Sequence, residues 1–219
     1  MYCAIDVEAT GEGFDRKAIA ISFVVGHKKY FKIEKSLTVC FPVPSVEQFG
    51  TLCWNEFWMK EENQKVLDRI RKEVRSSDEE ASKEIETFLK ELEDQYGDNI
   101  EFLSDNPSFD ITAVDWALYR FTKRLPMRFS TKGKYRCISD PSERIAAFGK
   151  WKETNEIISK NYGIEHDHWP ENDAAYIYAQ MIEANKLSKD YSEMERNYQS
   201  LKGSFFVMFL AFILLRLFV

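Results

Sequence analysis

The sequence predicts an α/β protein built on a mixed, five-stranded sheet, and two observations support this class. The first is an antiparallel meander, in which an apolar N-terminal strand is followed by a β-rich segment at residues 18–25 and a third strand through residues 37–41. The second is an amphipathic helix over residues 77–96 followed by a short apolar strand at residues 100–104. Such a β-α-β step pairs its strands in parallel. A fifth strand is predicted over residues 135–139.

Composition and charge favour a single folded domain in a reducing compartment. The chain has 219 residues, and 44% of them are hydrophobic, which is enough to bury a sizeable core. Its net charge of -6 argues against tight, non-specific coating of nucleic acid, although a local basic cluster could still bind it. The four cysteines form no C-x-x-C pair, which favours free thiols over a zinc knuckle or a disulfide framework. The N-terminal residues do not form a secretory signal pattern.

The first strand carries two carboxylates, Asp6 and Glu8. Side chains alternate along a strand, so both are predicted to project from the same face. Neighbouring carboxylates in a core are costly unless a cation neutralises them, and all-oxygen ligation suits Mg²⁺ or Mn²⁺. A solvated strand end is the simpler explanation of a D-x-E pattern on its own. Gly11 and Gly13 then end the strand and let a ligand approach the backbone closely.

Helices are predicted for much of the remaining chain. Residues 49–75 contain an aromatic cluster that could pack in the core or form a platform on which a base stacks. Its members are Phe49, Trp54, Phe57 and Trp58. The helix over residues 77–96 begins with a capping box formed by Ser77 and Glu80. Further helices are predicted from Phe109-Asp110, over residues 142–150, and in the segment that contains Asp173 near its start.

A local basic tract lies in the middle of this acidic chain. Residues 116–136 contain seven basic side chains and no acidic one. This tract could be an ordinary solvated face or a track that binds the phosphates of a nucleic acid. In the second interpretation, Lys132, Lys134 and Arg136 are the predicted substrate-binding residues.

Two of the three histidines, His166 and His168, lie in the loop before the helix that contains Asp173. An imidazole titrates in a range suited to a general base near neutral pH. A zinc site made of His166, Asp167 and His168 is a weaker alternative, because no cysteine lies nearby in the sequence.

Three motifs, in order and on suitable elements, resemble those of the DEDDh (DnaQ-like) 3′→5′ exonucleases, relatives of proofreading subunits and of ribonuclease T. The family's D-x-E-T-T-G is similar to residues 6–11, where Ala9 replaces one threonine. Its N-x-x-F-D matches residues 106–110, and its H-x-x-x-x-D-A matches residues 168–174. The resemblance covers about residues 2–185 and implies a ribonuclease H-like fold. The segment 49–75 and the tail after residue 185 lie outside what these motifs explain.

The resemblance also implies an activity and a set of site residues. A metal-dependent exonuclease would release nucleoside 5′-monophosphates from the 3′ end of single-stranded RNA or DNA, and the sequence does not distinguish the two substrates. Two Mg²⁺ or Mn²⁺ ions would be held by Asp6, Glu8, Asp110 and Asp173. His168 would be the general base, whereas His166 lies two residues too far from Asp173 to fit the motif. The implied substrate-binding residues are the backbone of Ala9 and Thr10 for the 3′-OH, Phe14 or Phe109 for the last nucleotide, and Asn106.

Two functions of other classes remain open at this stage. A nucleic-acid-binding protein could keep this fold without catalysis, although all five catalytic positions are present. A membrane-tethered interaction protein could instead depend mainly on its C-terminal segment. In that division of the chain, an exonuclease domain at 1–185 is followed by a charged linker or helix at 186–202 and a hydrophobic segment at 203–219.

The hydrophobic segment is a candidate tail anchor. Every residue from Phe205 to Leu215 is apolar. A helix over residues 204–219 would be about 24 Å long, slightly shorter than a bilayer core of about 30 Å, although Arg216 could snorkel to the interface. The basic residues before the segment predict an orientation with the enzyme in the cytosol. An interfacial helix or an oligomer contact is the alternative.

Overall fold

The computed structural model describes the backbone of residues 1–11, 16–130, 133–149 and 151–217, and their side chains except at 151, 152, 195 and 197–217. Residues 1–183 form one compact unit, and the residues from 184 onward form a second. The first unit contains Asp6, Glu8, Asp110, His168 and Asp173, which are the residues predicted for catalysis.

The described residues form a five-stranded mixed sheet, as the sequence predicts. The strand order is β3-β2-β1-β4-β5. The strand β1 pairs antiparallel with β2 and parallel with β4, β2 pairs antiparallel with β3, and β4 pairs parallel with β5. The strands are β1 Tyr2–Ala9, β2 Ala18–Gly26, β3 Ile33–Cys40, β4 Glu101–Leu103 and β5 Ile138–Ser139.

Helices cover both faces of the sheet. They are α1 Thr51–Cys53, which continues into a π-helical turn at Trp54–Trp58, then α2 Glu61–Lys72, α3 Asp78–Tyr96, α4 Pro107–Thr122, α5 Pro141–Ala147, α6 Trp151–Tyr162 and α7 Pro170–Leu217. The Ser77 half of the predicted capping box of α3 is confirmed, because the Glu80 backbone N–H donates to the Ser77 hydroxyl at 3.1 Å. The Glu80 carboxylate accepts instead from the Ser76 backbone N–H, at 3.0 Å.

The two faces of β1 enter different parts of the core. Cys3, Ile5 and Val7 pack with α3 and α4 on one side of the sheet. Tyr2 and Ala4 pack with the first turns of α7 on the other side. Because strand side chains alternate with period two, Asp6 and Glu8 continue the α7 side of this strand. The sequence pattern of β1 therefore directs both carboxylates toward α7.

A tyrosine anchors α7 to the sheet. The ring of Tyr178 occupies the space beside Gly26, where an added Cβ atom would lie 2.3 Å from the ring. The Tyr178 hydroxyl donates to the Tyr30 carbonyl at 2.8 Å and accepts from the Lys32 backbone N–H at 3.1 Å. Only glycine leaves room for this ring. The contact fixes the start of α7, and with it the position of Asp173, against β1 and β2.

Three elements differ from the sequence-based expectation. The strand β3 begins at Ile33, four residues before the predicted third strand at 37–41, and residues 27–32 connect it to β2. The predicted helix at 49–75 is divided, because the chain widens into a π-helical turn that lets Trp58 turn inward and then restarts at Glu61. The helix α6 was not predicted, because its polar residues obscure the apolar period around Ile158.

Two residues at the C-terminal end of the basic tract, Lys134 and Arg136, form ion pairs within the protein. Arg136 forms an ion pair with Glu93 at 3.0 Å, and the two side chains are only 7% and 8% exposed. Arg136 also donates from Nε to the Pro126 carbonyl. Lys134 pairs with Asp98 at the surface, at 3.0 Å. The structure therefore does not support the predicted phosphate-binding role of Arg136, since its guanidinium is buried. Lys132 lies outside the described residues.

We expect the replacement of Arg136 by methionine to destabilise the protein by about 3–5 kcal/mol, because it leaves the buried Glu93 carboxylate without its cationic partner. Urea unfolding followed by circular dichroism measures this change. The matched control is Lys134→Met, which breaks an exposed ion pair and should cost about 1 kcal/mol or less. Equal, small losses for the two variants would contradict the structural role of Arg136.

Among the described residues, no helix combines the length and apolarity that a membrane span requires. The candidate tail anchor at 203–219 lies in the part of the chain whose side chains are not described. Membrane attachment and the cytosolic orientation stay predictions.

Candidate active site

Four carboxylates from three elements converge at one end of β1. Asp6 and Glu8 come from β1, and Asp173 comes from the first turn of α7. Ligand oxygens of these three residues lie within 4.8 Å of one another. Asp110, in the first turn of α4, is 2% exposed and lies close enough to raise the pKa of both Asp6 and Glu8. The structure thus brings together all four predicted metal ligands.

The electrostatics of this carboxylate cluster are unfavourable without a cation. Burial, followed by repulsion from Asp110 and the other cluster members, raises the pKa of Asp6 well above its usual range. Burial and the neighbouring Asp173 and Asp110 do the same for Glu8. Burial raises the pKa of Asp173 to about 7. Charged carboxylates at such short range require an opposite charge to stay ionised near neutral pH.

One buried oxygen of the cluster accepts no hydrogen bond from the described residues. The Oδ2 atom of Asp6 is buried and has no hydrogen-bond partner among the described residues. A buried carboxylate oxygen without a donor is costly unless a cation binds it. The donor set of Asp6, Glu8, Asp110 and Asp173 consists of oxygens alone, which suits Mg²⁺ or Mn²⁺. The residues present therefore fit a divalent cation.

A buried serine orients Asp110. Ser104 follows β4, is fully buried, and donates from its hydroxyl to Asp110 Oδ2 at 2.5 Å. The same hydroxyl oxygen accepts from the Asn106 backbone N–H at 3.1 Å. The hydrogen bond from Ser104 lowers the pKa of Asp110, whereas burial raises it by a larger amount. Ser104 was not predicted as a functional residue, although it lies at the end of a parallel strand, where α/β proteins position site residues.

Both histidines of the loop before α7 face Asp173. His168 Nδ1 lies 3.8 Å from Asp173 Oδ2, and His166 Nε2 lies 3.5 Å from the same oxygen. The rings of the two histidines are 4.8 Å apart, edge to face. Burial, and then the neighbouring His166, lowers the pKa of His168. His168 is therefore neutral near pH 7 and able to accept a proton.

The backbone at His168 is unusual. Its φ angle is 61°, in the left-handed region that few residues other than glycine adopt. The edge of the ring packs against Phe57, with 4.8 Å between the ring centroids. Strained backbone of this kind is found most often where a side chain must be held in one direction. The fold thus holds the His168 ring over the carboxylate cluster.

The zinc alternative receives only part of its expected ligands. His166, His168 and Asp173 have ligand atoms within 4.8 Å of one another. Asp167, the acid expected at such a site, instead accepts from the Trp169 backbone N–H at 3.1 Å and from the Asn172 side chain at 2.9 Å. Its carboxylate therefore stabilises the start of α7 through these two hydrogen bonds.

The segment that the motifs left unexplained forms one wall of the cleft. The cleft has a volume of about 660 Å³ and is lined by Asp6, Glu8 and Asp173 of the carboxylate cluster, by both histidines and by residues of the aromatic segment. Trp58 is buried and donates from Nε1 to the Ala9 carbonyl at 3.0 Å, which ties this wall to the end of β1. Phe57 and the exposed Leu52 face the cleft. The aromatic cluster therefore divides: Phe49 and Trp58 are core residues, and Phe57 is a wall of the site.

The predicted substrate-binding residues are only partly in place. Ala9, Asn106 and Phe109 line the cleft. Thr10 does not, because it is buried and its backbone N–H and carbonyl bond to Lys17 and Gly50, at 2.9 and 2.8 Å. The structure therefore does not support Thr10 as a ligand of the 3′-OH. Phe14 and Lys132 lie outside the described residues, and Lys134 and Arg136 do not line the cleft.

Arg16 is a further residue of the site that the sequence did not reveal. Its guanidinium lies over the Phe109 ring, 4.2 Å from the centroid, and donates to the Phe109 carbonyl at 3.0 Å. It lines the cleft and acts on the pKa of Asp110 by lowering it. The only signal in the sequence was its position just after the glycines that end β1, where the chain returns toward the sheet.

The protein resembles solved exonuclease structures. The nuclease domain of 3′hExo, a DEDDh family member bound to rAMP, aligns with a TM-score of 0.53 and 16% identity over 86% of this chain and 92% of that chain. The fold is that of a DEDDh exonuclease. A full-length 3′-exonuclease aligns with a TM-score of 0.51 and 15% identity over 86% of this chain and 82% of that chain.

This exonuclease fold also aligns with E. coli exonuclease I in complex with a dT13 oligonucleotide, with a TM-score of 0.52 and 15% identity. That alignment covers 90% of this chain but 42% of the larger protein. No protein-family model matches the sequence, and no curated protein matches it significantly. At these identities the comparisons confirm the predicted ribonuclease H-like fold, and the chemistry must be argued from the residues.

Proposed function

We propose that this protein is a metal-dependent 3′→5′ exonuclease that hydrolyses single-stranded RNA or DNA to nucleoside 5′-monophosphates. The observation that carries the proposal is a cluster of four carboxylates beside two histidines. Asp6, Glu8 and Asp173 line an open cleft, and the buried Asp110 lies close behind them. A protein that only bound nucleic acid would have no use for this acidic cluster at the cleft, because it repels phosphates.

The carboxylate cluster is the proposed site of two Mg²⁺ or Mn²⁺ ions. When bound, such ions would activate a water molecule for in-line attack and neutralise the leaving alcohol. The protein supplies the geometry: β1 fixes Asp6 and Glu8, Ser104 holds Asp110, and the anchored start of α7 presents Asp173. A site supported by such contacts needs little reorganisation during the reaction.

His168 is the proposed general base. It is neutral near pH 7, it lies beside Asp173, and it opens onto the cleft, so it can take a proton from the attacking water. Asn106 and Phe109, at the start of α4, are placed to contact the terminal nucleotide. Discrimination between RNA and DNA requires a group that reads the ribose 2′-OH, and the described lining of the cleft assigns that role to no residue, so the proposal covers both.

The test is digestion of matched single-stranded RNA and DNA oligonucleotides, labelled at the 5′ end, with Mg²⁺ and with Mn²⁺. We expect a ladder of products shortened one nucleotide at a time from the 3′ end, together with 5′-monophosphates. A duplicate reaction with a 3′-phosphorylated oligonucleotide is the control, because an enzyme that recognises a free 3′-OH should be slowed by it. Binding of both oligonucleotides without any cleavage would favour a catalytically silent binding protein on the same fold.

A further inference from the structure

A second groove shares one residue with the cleft and lies along α4. It has a volume of about 190 Å³ and is lined by Arg16, Lys17, Trp116, Arg120 and Phe121, with Asp78 on its other side. Arg16 lines both this groove and the carboxylate cleft. The two depressions are therefore neighbours on either side of Arg16, whose guanidinium lies over the Phe109 ring at the start of α4.

The sequence of α4 produces this groove through its spacing. Phe109, Ala113, Trp116, Ala117 and Arg120 recur at helical intervals and share one face of the helix. The two alanines are small and leave a channel between the larger side chains. From residue 109 to residue 120 the helix rises about 16 Å. The residues of α4 that line the groove run from Ala113 to Phe121, so the groove extends from near Arg16 toward the C-terminal end of α4.

The groove combines an exposed aromatic ring with positive charge. Trp116 is 56% exposed, whereas Trp58 and Trp169 are buried. Of the charged groups, Arg16, Lys17 and Arg120 are cationic, and Asp78 alone is anionic; it pairs with Lys17 at 2.9 Å and with Arg120 at 3.8 Å. The groove therefore carries an excess of positive charge in a chain of net charge -6. This combination is how proteins bind single strands, with bases stacked on aromatic rings and phosphates near cations.

We infer that this α4 groove binds the nucleotides of a single-stranded nucleic acid that precede the two 3′-terminal ones, with a base on Trp116 and a phosphate near Arg120. The inference rests on the proposed function, because the cleft that it extends is the proposed site of cleavage. Within the basic tract at residues 116–136, the phosphate-binding residue is then Arg120 of α4. Lys134 and Arg136 instead form ion pairs with Asp98 and Glu93.

The test compares Trp116→Ala and Arg120→Ala with two matched controls on the same helix. Tyr119→Ala removes another exposed ring and Lys123→Ala another cation, and neither residue lines the groove. The full-length proteins are titrated with a fluorescein-labelled, single-stranded 12-mer in EDTA, and binding is followed by fluorescence anisotropy. Hydrolysis of the 12-mer and of a dinucleotide is measured separately with Mg²⁺.

We expect Trp116→Ala to weaken 12-mer binding by about 5- to 150-fold, which is the usual range for a stacked base. Arg120→Ala should reduce the slope of log affinity against log salt by about 0.7 to 1. Neither control should change affinity by more than about twofold, and dinucleotide hydrolysis should be unchanged in all four variants.

The outcomes separate this inference from the proposed function. Selective loss of 12-mer binding in the groove variants supports the inference even if no variant cleaves, since the binding assay does not require turnover. Cleavage of the 12-mer with equal affinities in groove and control variants overturns the inference and leaves the proposed function standing. A change of oligomeric mass in Trp116→Ala by sedimentation equilibrium, with unchanged oligonucleotide affinity, would overturn it in favour of a contact between copies of the chain.

Discussion

Replacement of Asp6 or Asp110 by asparagine is expected to abolish cleavage of the oligonucleotide substrates. Each change removes a charged oxygen ligand while keeping the size of the side chain. Asp6 Oδ2 has no protein partner among the described residues, so its carboxylate has no evident structural duty. Asp110 is held by Ser104, and an asparagine amide at this position would offer one acceptor oxygen instead of two. The rates of 5′-labelled product formation with Mg²⁺ measure the effect.

Asp68→Asn is the matched control for charge, because it removes one negative charge from the surface of α2, far from the cleft lining. Its activity should equal that of the unchanged protein. Chelation of divalent cations by EDTA should abolish activity in the unchanged protein, and added Mg²⁺ or Mn²⁺ should restore it. Full activity in EDTA would show that the carboxylate cluster serves another purpose.

The same variants should report metal binding through stability. Burial and repulsion raise the pKa of Asp6 and Glu8, and burial raises that of Asp173 to about 7. A carboxyl whose pKa rises on folding holds more protons in the native state, so the metal-free protein should lose stability as the pH rises from about 4 through 7. Mg²⁺, which binds the native cluster, should raise the Tm at pH 8. Asp6→Asn should weaken this metal-dependent rise, and its metal-free Tm should be no lower than that of the unchanged protein.

Much of this site was predictable because it depends on strict local periodicity. The period of two along β1 sends Asp6 and Glu8 to one face, and the same pattern buries Tyr2 and Ala4 against α7. The apolar stripe of α3 and its Ser77 cap were likewise sufficient to place that helix. The order of the three motifs then predicted that Asp110 and Asp173 would lie close to Asp6 and Glu8.

The parts that escaped prediction depend on contacts between residues far apart in the sequence. The basic tract could have been a phosphate-binding track. In the structure, Arg136 forms an ion pair with Glu93 of α3, and Lys134 forms one with Asp98. Neither pair could be predicted from a local sequence pattern. The hydroxyl of Ser104 gains a role only because α4 returns Asp110 to it. The wall formed by Phe57 arises from a π-helical turn, a conformation with no reliable sequence signature.

The sequence motif and the distances in the structure favour different histidines as the general base. The motif favours His168, and the structure holds the His168 ring against Phe57 by a strained backbone. In the same structure His166 lies slightly closer to Asp173, at 3.5 Å against 3.8 Å for His168. Distance to the carboxylate alone does not identify a base, because the base must reach the attacking water rather than Asp173. His166 is also the more exposed of the two side chains, at 48% against 33%.

We expect His168→Gly to reduce the rate of cleavage by about 10²- to 10⁴-fold, the usual contribution of a general base. Glycine suits the φ angle of 61° at this position, so the variant removes the imidazole without adding backbone strain. Mg²⁺ should still raise its Tm, because the four carboxylates remain. The reaction rate as a function of pH, under saturating substrate, separates loss of the base from loss of binding.

The control is His166→Ala, which should reduce the rate only slightly. Imidazole added to the buffer should partly restore His168→Gly, since the vacated space beside Phe57 opens onto the cleft and a free imidazole can accept the proton there. Rescue of the rate with no change in substrate affinity would identify the missing group as a proton acceptor. If His166→Ala proved the more damaging variant and His168→Gly were nearly as active as the unchanged protein, the base would be His166, and the strained backbone at His168 would serve to hold Phe57 and the cleft wall instead.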